Sequence, residues 1–152
     1  MEHQEKLNKA IADVLRADTG AGSLVELTGH TPTNIRIARD TPPVKGMKPF
    51  LGFRIGPSVP LNNETTFLQE SRVEFCCCST QELTAMRIAD RLEELVHNTT
   101  PASYWNFSNG DISNRSTRFA NRGKSMHDED TDVWTVQVDL DLIWYGQPCP
   151  VP

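Results

Sequence analysis

The densest group of potential ligands in the chain is His127-Asp128-Glu129-Asp130-Thr131-Asp132. Carboxylates suit hard cations such as Mg²⁺ or Ca²⁺. The spacing is not that of an EF-hand loop, however, and no glycine stands where such a loop turns. The plain alternative is a solvated acidic turn between two strands. Just upstream, Arg115, Arg118, Arg122 and Lys124 concentrate positive charge. They suit phosphate, or the neighbouring acids, within the chain or across a subunit boundary, because the planar guanidinium fork matches carboxylates. Arg115, Arg118 and Arg122 with Asp128, Glu129 and Asp130 are therefore candidates for a charge-matched subunit contact, set against an ordinary solvated hairpin. Asp139 and Asp141 would lie about 7 Å apart by strand rise, a separation glycosidase carboxylates use. A wet strand face carries such pairs without any chemistry.

Other patterns fail in their context. Gly20-Ala21-Gly22 begins like a dinucleotide-binding fingerprint, but the third glycine is missing and a helical stretch precedes it, so it reads as a helix terminator. Cys76, Cys77 and Cys78 are consecutive on a strand, so their side chains alternate faces and cannot converge on one metal. They read as small buried hydrophobes, with Cys149 far away in a proline-rich tail. No histidine, cysteine or serine sits in a nucleophile motif, and neither HExxH nor Gly-x-Ser-x-Gly occurs. The sequence predicts no enzyme, no cofactor and no resident metal.

The elements that would position these residues are clearer. Strict alternation at Ser71–Phe75, extended by Cys77, predicts a half-buried strand with Val73, Phe75 and Cys77 inward. Ser79 followed by Glu82 reads as a capping box. The helix it opens carries Ala85, Ile88, Ala89, Leu92, Leu95 and Val96 on one arc and Arg87, Asp90, Arg91 and Glu94 opposite. Leu83 falls on the charged side, and it joins Tyr104, Trp105 and Phe107 as candidate partner contacts. Residues 3–17 predict a first helix with Leu7, Ala10, Ile11, Val14 and Leu15 on one stripe. Leu24, Val25 and Leu27 add a short turn closed by Gly29.

Two proline-flanked strands, Asn34–Arg39 and Phe50–Gly56, read as an edge-side hairpin with a long connection over Asp40–Lys48. Asp111–Arg122 is polar enough for an edge strand. The clearest strand is the last, where Trp134, Val136, Val138, Leu140, Leu142 and Trp144 alternate with polar residues over a length that demands an antiparallel neighbour and one wet face. The sum is an α+β fold: a mostly antiparallel four- to five-stranded sheet with two helices packed on one face. It forms a single domain over 1–145 with an extended tail over 146–152.

The totals set bounds. A chain of 152 residues supports one real core. A net charge of −5 argues against nucleic-acid binding as the main role. No run approaches the ~18 apolar residues of a membrane span, and the opening MEHQEKLNKA lacks an apolar signal segment, so the cytosol is the expected compartment. Without such a signal, the Asn-x-Ser/Thr sites at Asn63, Asn98, Asn106 and Asn114 carry no glycosylation meaning.

In order, length and pattern the chain resembles the tail terminator (tail completion) proteins of long-tailed bacteriophages. The segments that carry the likeness are IADVLRADTGAGSLVEL, KPFLGFRI, RVEFCCCSTQELTAMRIADRLEELV and DVWTVQVDLDLIW. None is a sharp motif. The resemblance implies a ring, usually hexameric, that caps the tail tube and faces a head-proximal connector or neck protein. It implies a virion location after assembly in the host cytoplasm, no membrane, and DNA passing through unbound. It carries over no catalytic residues. Within such a ring, Asp139 and Asp141 are candidate lumen-facing acids, since like charge opposes phosphate contacts. Two other readings stay open: a head–tail connector ring, and a small metal-binding cytosolic enzyme using residues 127–132.

Overall fold

The computed structural model describes residues 2–29, 35–37, 48–56, 59–60, 68–97, 108–109 and 112–146. Their elements are α1 (Glu2–Arg16), α2 (Leu24–Leu27), β1 (Ile35–Ile37), β2 (Phe50–Ile55), β3 (Val59–Pro60), β4 (Leu68–Ser79), α3 (Glu82–His97), β5 (Ser108–Asn109), β6 (Ile112–Arg122), β7 (Met126–Asp128) and β8 (Val133–Gly146). The two most regularly alternating segments, β4 and β8, form the centre of the sheet. They pair antiparallel along all of β4, from Leu68 opposite Tyr145 to Ser79 opposite Trp134.

The sheet order is β1-β2-β4-β8-β6-β5, with β3 added to β4 and β7 to β8. Period two then decides what each face carries. Phe53, Val73, Phe75, Cys77, Val136, Val138, Leu140, Leu142 and Trp144 line one face and are buried against Leu7, Ile11 and Leu15 of α1 and Ala85, Ile88, Ala89, Leu92 and Leu95 of α3. Both long helices therefore cover the same face, as the apolar arcs require. Trp144 lies wholly inside, and its indole N–H donates to Ser71 Oγ at 3.0 Å, which satisfies the one polar atom that side chain brings. Helix α1 reaches β1 at one end of the sheet order and β5 and β6 at the other, so the sheet curls around it.

Two local expectations are corrected. β1 and β2 pair parallel, with Ile35 opposite Leu51, and do not form a hairpin. Residues 38–49 are long enough for the crossover of about a dozen residues that a parallel pair needs. The second correction concerns the start of α3. Ser79 still belongs to β4, and its Oγ accepts from Gln81 N–H at 3.1 Å. Glu82 turns outward from the cap and accepts from Ser125 Oγ at 2.7 Å. A capping box does occur, at Ser23–Glu26 instead: Ser23 Oγ accepts from Glu26 N–H at 3.2 Å while the Glu26 carboxylate accepts from Gly22 N–H, one residue beyond the usual partner.

β6 pairs with β8 through two register shifts, between Asn114 and Ser116 and between Phe119 and Asn121. Such bulges are common near sheet edges, where they twist a strand away from unwanted pairing.

Candidate functional site

Three groups of polar side chains stand out, and each is placed by a different part of the fold. The first joins the loop after α1 to α3. Asp18 is fully buried. Its Oδ2 accepts from Leu24 N–H at 2.8 Å and Arg91 Nε at 2.9 Å, and its Oδ1 accepts from Arg91 Nη2 at 2.7 Å. A buried carboxylate needs such an arrangement, because an unpaired one costs several kcal/mol. Arg91 also donates to Glu94 at 2.9 Å. The hydrogen bond to Asp18 holds the guanidinium even more firmly protonated than usual. Beside this pair lies an open hollow of about 230 Å³ lined by Gly22, Leu27, Arg87, Asp90, Arg91 and Glu94. Gly20 and Gly22, both at positive φ (106° and 74°), make the turn that brings Asp18 and α2 together.

The second group lies on the sheet face that the helices leave open. Glu74 pairs with Arg54 across β2 and β4 at 2.6 Å. Asp141 accepts from Arg72 Nε at 3.0 Å and Arg118 Nη2 at 3.5 Å, so one carboxylate on β8 ties β4 to β6. The hydrogen bond from Arg72 draws the Asp141 carboxyl below the ordinary range, against a smaller opposing effect of burial. Asp139 lies opposite Glu74 and accepts from Gln137 Nε2 at 3.1 Å. At the Ser79 end of the same face, Phe50, Cys78 and Val133 form a small buried apolar cluster joined by Cys76.

The third group is the β7–β8 turn. Asp132 N–H donates to Asp128 O at 2.8 Å, and Asp130 N–H donates to Asp128 Oδ1 at 3.0 Å. Asp132 closes the turn at φ 56°. Its Oδ1 lies 2.8 Å from His127 Nε2, and the His127 ring packs tilted by 36° against Trp134, with ring centroids 4.6 Å apart. Among the described residues no three His, Cys, Asp or Glu side chains come together in a way that could hold a metal ion. In this turn the acids serve the turn itself: Asp128 as its anchor, Asp132 as its last residue.

The residues singled out from sequence are thus dispersed. Leu83 is 57% exposed on α3, with Met86 beside it also exposed. Tyr104, Trp105 and Phe107 lie outside the described residues, as does the side chain of Arg115. Arg122 turns to the helix face and pairs with Asp90 at 2.6 Å and Glu93 at 3.3 Å. Arg118 pairs with Asp141 and not with Asp128, Glu129 or Asp130. Asp139 and Asp141 share the open face, as their odd register requires, but Asp141 is covered by two arginines. Cys77 faces the core, where burial pushes its thiol well above the ordinary range; Cys76 and Cys78 face the other way and are raised by burial as well.

No protein-family model matches the chain, and no curated protein matches it in sequence. Among solved structures, it is similar to a chain in the virion of a native gene transfer agent (GTA) particle, at 17% identity and a TM-score of 0.65. The superposition covers 92% of this chain and 95% of that one. The two share a fold.

Sequence reasoning missed the Asp18–Arg91 pair, whose partners are far apart in the chain. A signal was present: Arg91 borders the apolar arc of α3, and Asp18 opens the only Gly-x-Gly turn. A helix-flank arginine facing a tight turn with one acid is the pattern to look for.

Proposed function

We propose that this protein is a structural component of a phage-like virion that forms a ring, hexameric symmetry being the form the tail terminator likeness implies, and that the ring caps the tail tube and joins it to a head-proximal neck protein. The observation that carries the reading is the shared fold with a virion chain over almost the whole of both chains. The dispersal of the polar groups agrees with it: Asp18–Arg91 and Arg72–Asp141–Arg118 tie elements of the fold together. In this reading DNA passes through the ring without specific binding, and the chain works in the virion after assembly in the host.

The test is the solution mass by light scattering over a concentration series, with and without tail-tube protein. A monomer that becomes a ring on the tube supports the terminator role. A ring that binds portal-side protein and ignores the tube assigns it to the connector instead. A monomer indifferent to both overturns the ring, and titration of the β7–β8 turn with Mg²⁺ and Ca²⁺ then tests the metal-binding alternative.

A further inference from the structure

We infer that the open face of the sheet is the docking surface for a second copy of this chain, entered by that copy's acidic β7–β8 turn. The inference rests on the ring reading above and names the contact that would close it.

On the open face the side chains of Arg54, Arg72 and Arg118 are 62%, 54% and 75% exposed, whereas their partners Glu74 and Asp141 are 34% and 13% exposed. Among the described residues Glu70 and Asp139 share this face, so carboxylates outnumber these guanidinium groups four to three, but Glu74 and Asp141 lie beneath and the three guanidinium groups lie outermost. A chain of net charge −5 therefore presents guanidinium groups outermost on the one sheet face its helices do not cover. Arg118 spends a single N–H on Asp141, at 3.5 Å, and a guanidinium has five to offer.

The complementary surface is on the same molecule. Glu129 and Asp130 are exposed at the tip of the turn and have no ion-pair partner among the described residues. Two hydrogen bonds accepted by Asp128 fix the turn, so the acids are held ready and little ordering cost remains on binding. The tip cannot reach the arginines of its own subunit. It leaves β8 at Val133, and Arg72 and Arg118 bracket Asp141, about 25 Å further along that strand by its rise. Two different patches that can meet only between copies make a head-to-tail contact, which generates rings when the rotation closes.

The same groups would attract phosphate, which is why this face belongs against a neighbour and not in a DNA-conducting lumen: outermost guanidinium groups hold a nucleic-acid backbone. Asp141 then serves the contact by orienting Arg72 and Arg118.

Charge reversal tests the contact on the assembled full chain, with tail-tube protein present if assembly needs it. Two variants are made: a tip variant, Glu129→Lys with Asp130→Lys, and a face variant, Arg118→Glu, with Arg54→Glu as a second face variant should the first unfold. Each alone is expected to raise the concentration for ring formation by about tenfold or more, since like charges are then juxtaposed. Mixed one to one, tip and face variants are expected to assemble again, alternating around the ring, because every contact then joins opposite charges. Rescue by mixing also establishes that both variants are folded. The inference is overturned if the wild type assembles and either reversal leaves assembly unchanged, or if mixing fails to rescue variants whose circular dichroism matches the wild type. It is also overturned if Arg118→Glu abolishes binding of a labelled DNA duplex while leaving the ring intact. A wild type that never assembles removes the ring reading itself, a failure distinct from these.

Discussion

At the scale of single residues, Asp18 is the side chain on which most depends. It accepts from three donors contributed by two separated stretches, and none of them is replaced if it is lost. Asp18→Ala leaves Arg91 partly buried without its main partner and is expected to cost about 3 kcal/mol, lowering the melting temperature by about 6–12 °C. A calorimetric melt checks this. Ser71→Ala orphans the buried Trp144 indole N–H and should cost about 1–3 kcal/mol in urea denaturation. Asp141 behaves differently, through pH. Its carboxyl binds a proton less readily in the fold than in the unfolded chain, so its contribution to stability is full above the ordinary carboxylate value of about 3.9 and is lost as pH falls below it. Asp141→Asn should therefore flatten the acid limb of a stability–pH curve and leave its alkaline limb unchanged. These pairs were hardly legible in the sequence. Arg72, Asp141 and Arg118 meet only because β8 lies between β4 and β6, and periodicity reports the face a side chain takes, not its neighbour across the sheet.

At the scale of elements, legibility was high wherever one face is buried. Every residue of the predicted α3 arc is buried, and the alternation along β8 matches its burial from Val136 to Trp144. The pairing direction of β1 and β2 was not legible, because alternation is the same in a parallel and an antiparallel strand. The start of α3 was misjudged for a related reason: Ser79 satisfies both a strand end and a cap, and the twelfth rung of β4 with β8 claims it. Ser23–Glu26 shows that the same motif holds where no strand competes. The β7–β8 turn offers a sharp test, since Asp132 takes a left-handed conformation that a β-branched residue resists. Asp132→Val should cost about 1–2 kcal/mol and Asp132→Gly markedly less, measured by the urea midpoint.

At the scale of the whole molecule, the sheet divides the protein into a face spent on its own core and a face that is charged and open. The sequence conveyed the first through its apolar periods. The second emerges only from relative depth, which arginines lie above which carboxylates, and no linear pattern encodes that. Peptide-resolved alkylation should find Cys77 modified only after denaturation, as its depth and raised thiol demand. The sheet order also bears on how the chain is made. β8 occupies the middle of the sheet and is the last described strand to leave the ribosome, while α1, which precedes every other described element, rests on strands from both ends of that order. The earliest helix must wait for the latest strand, so the nascent chain has no stable half and folds through contacts distant in sequence. A product cut short before Val133 would expose the apolar sides of β4 and β6 and be cleared as unfolded. Translation errors would then remove themselves.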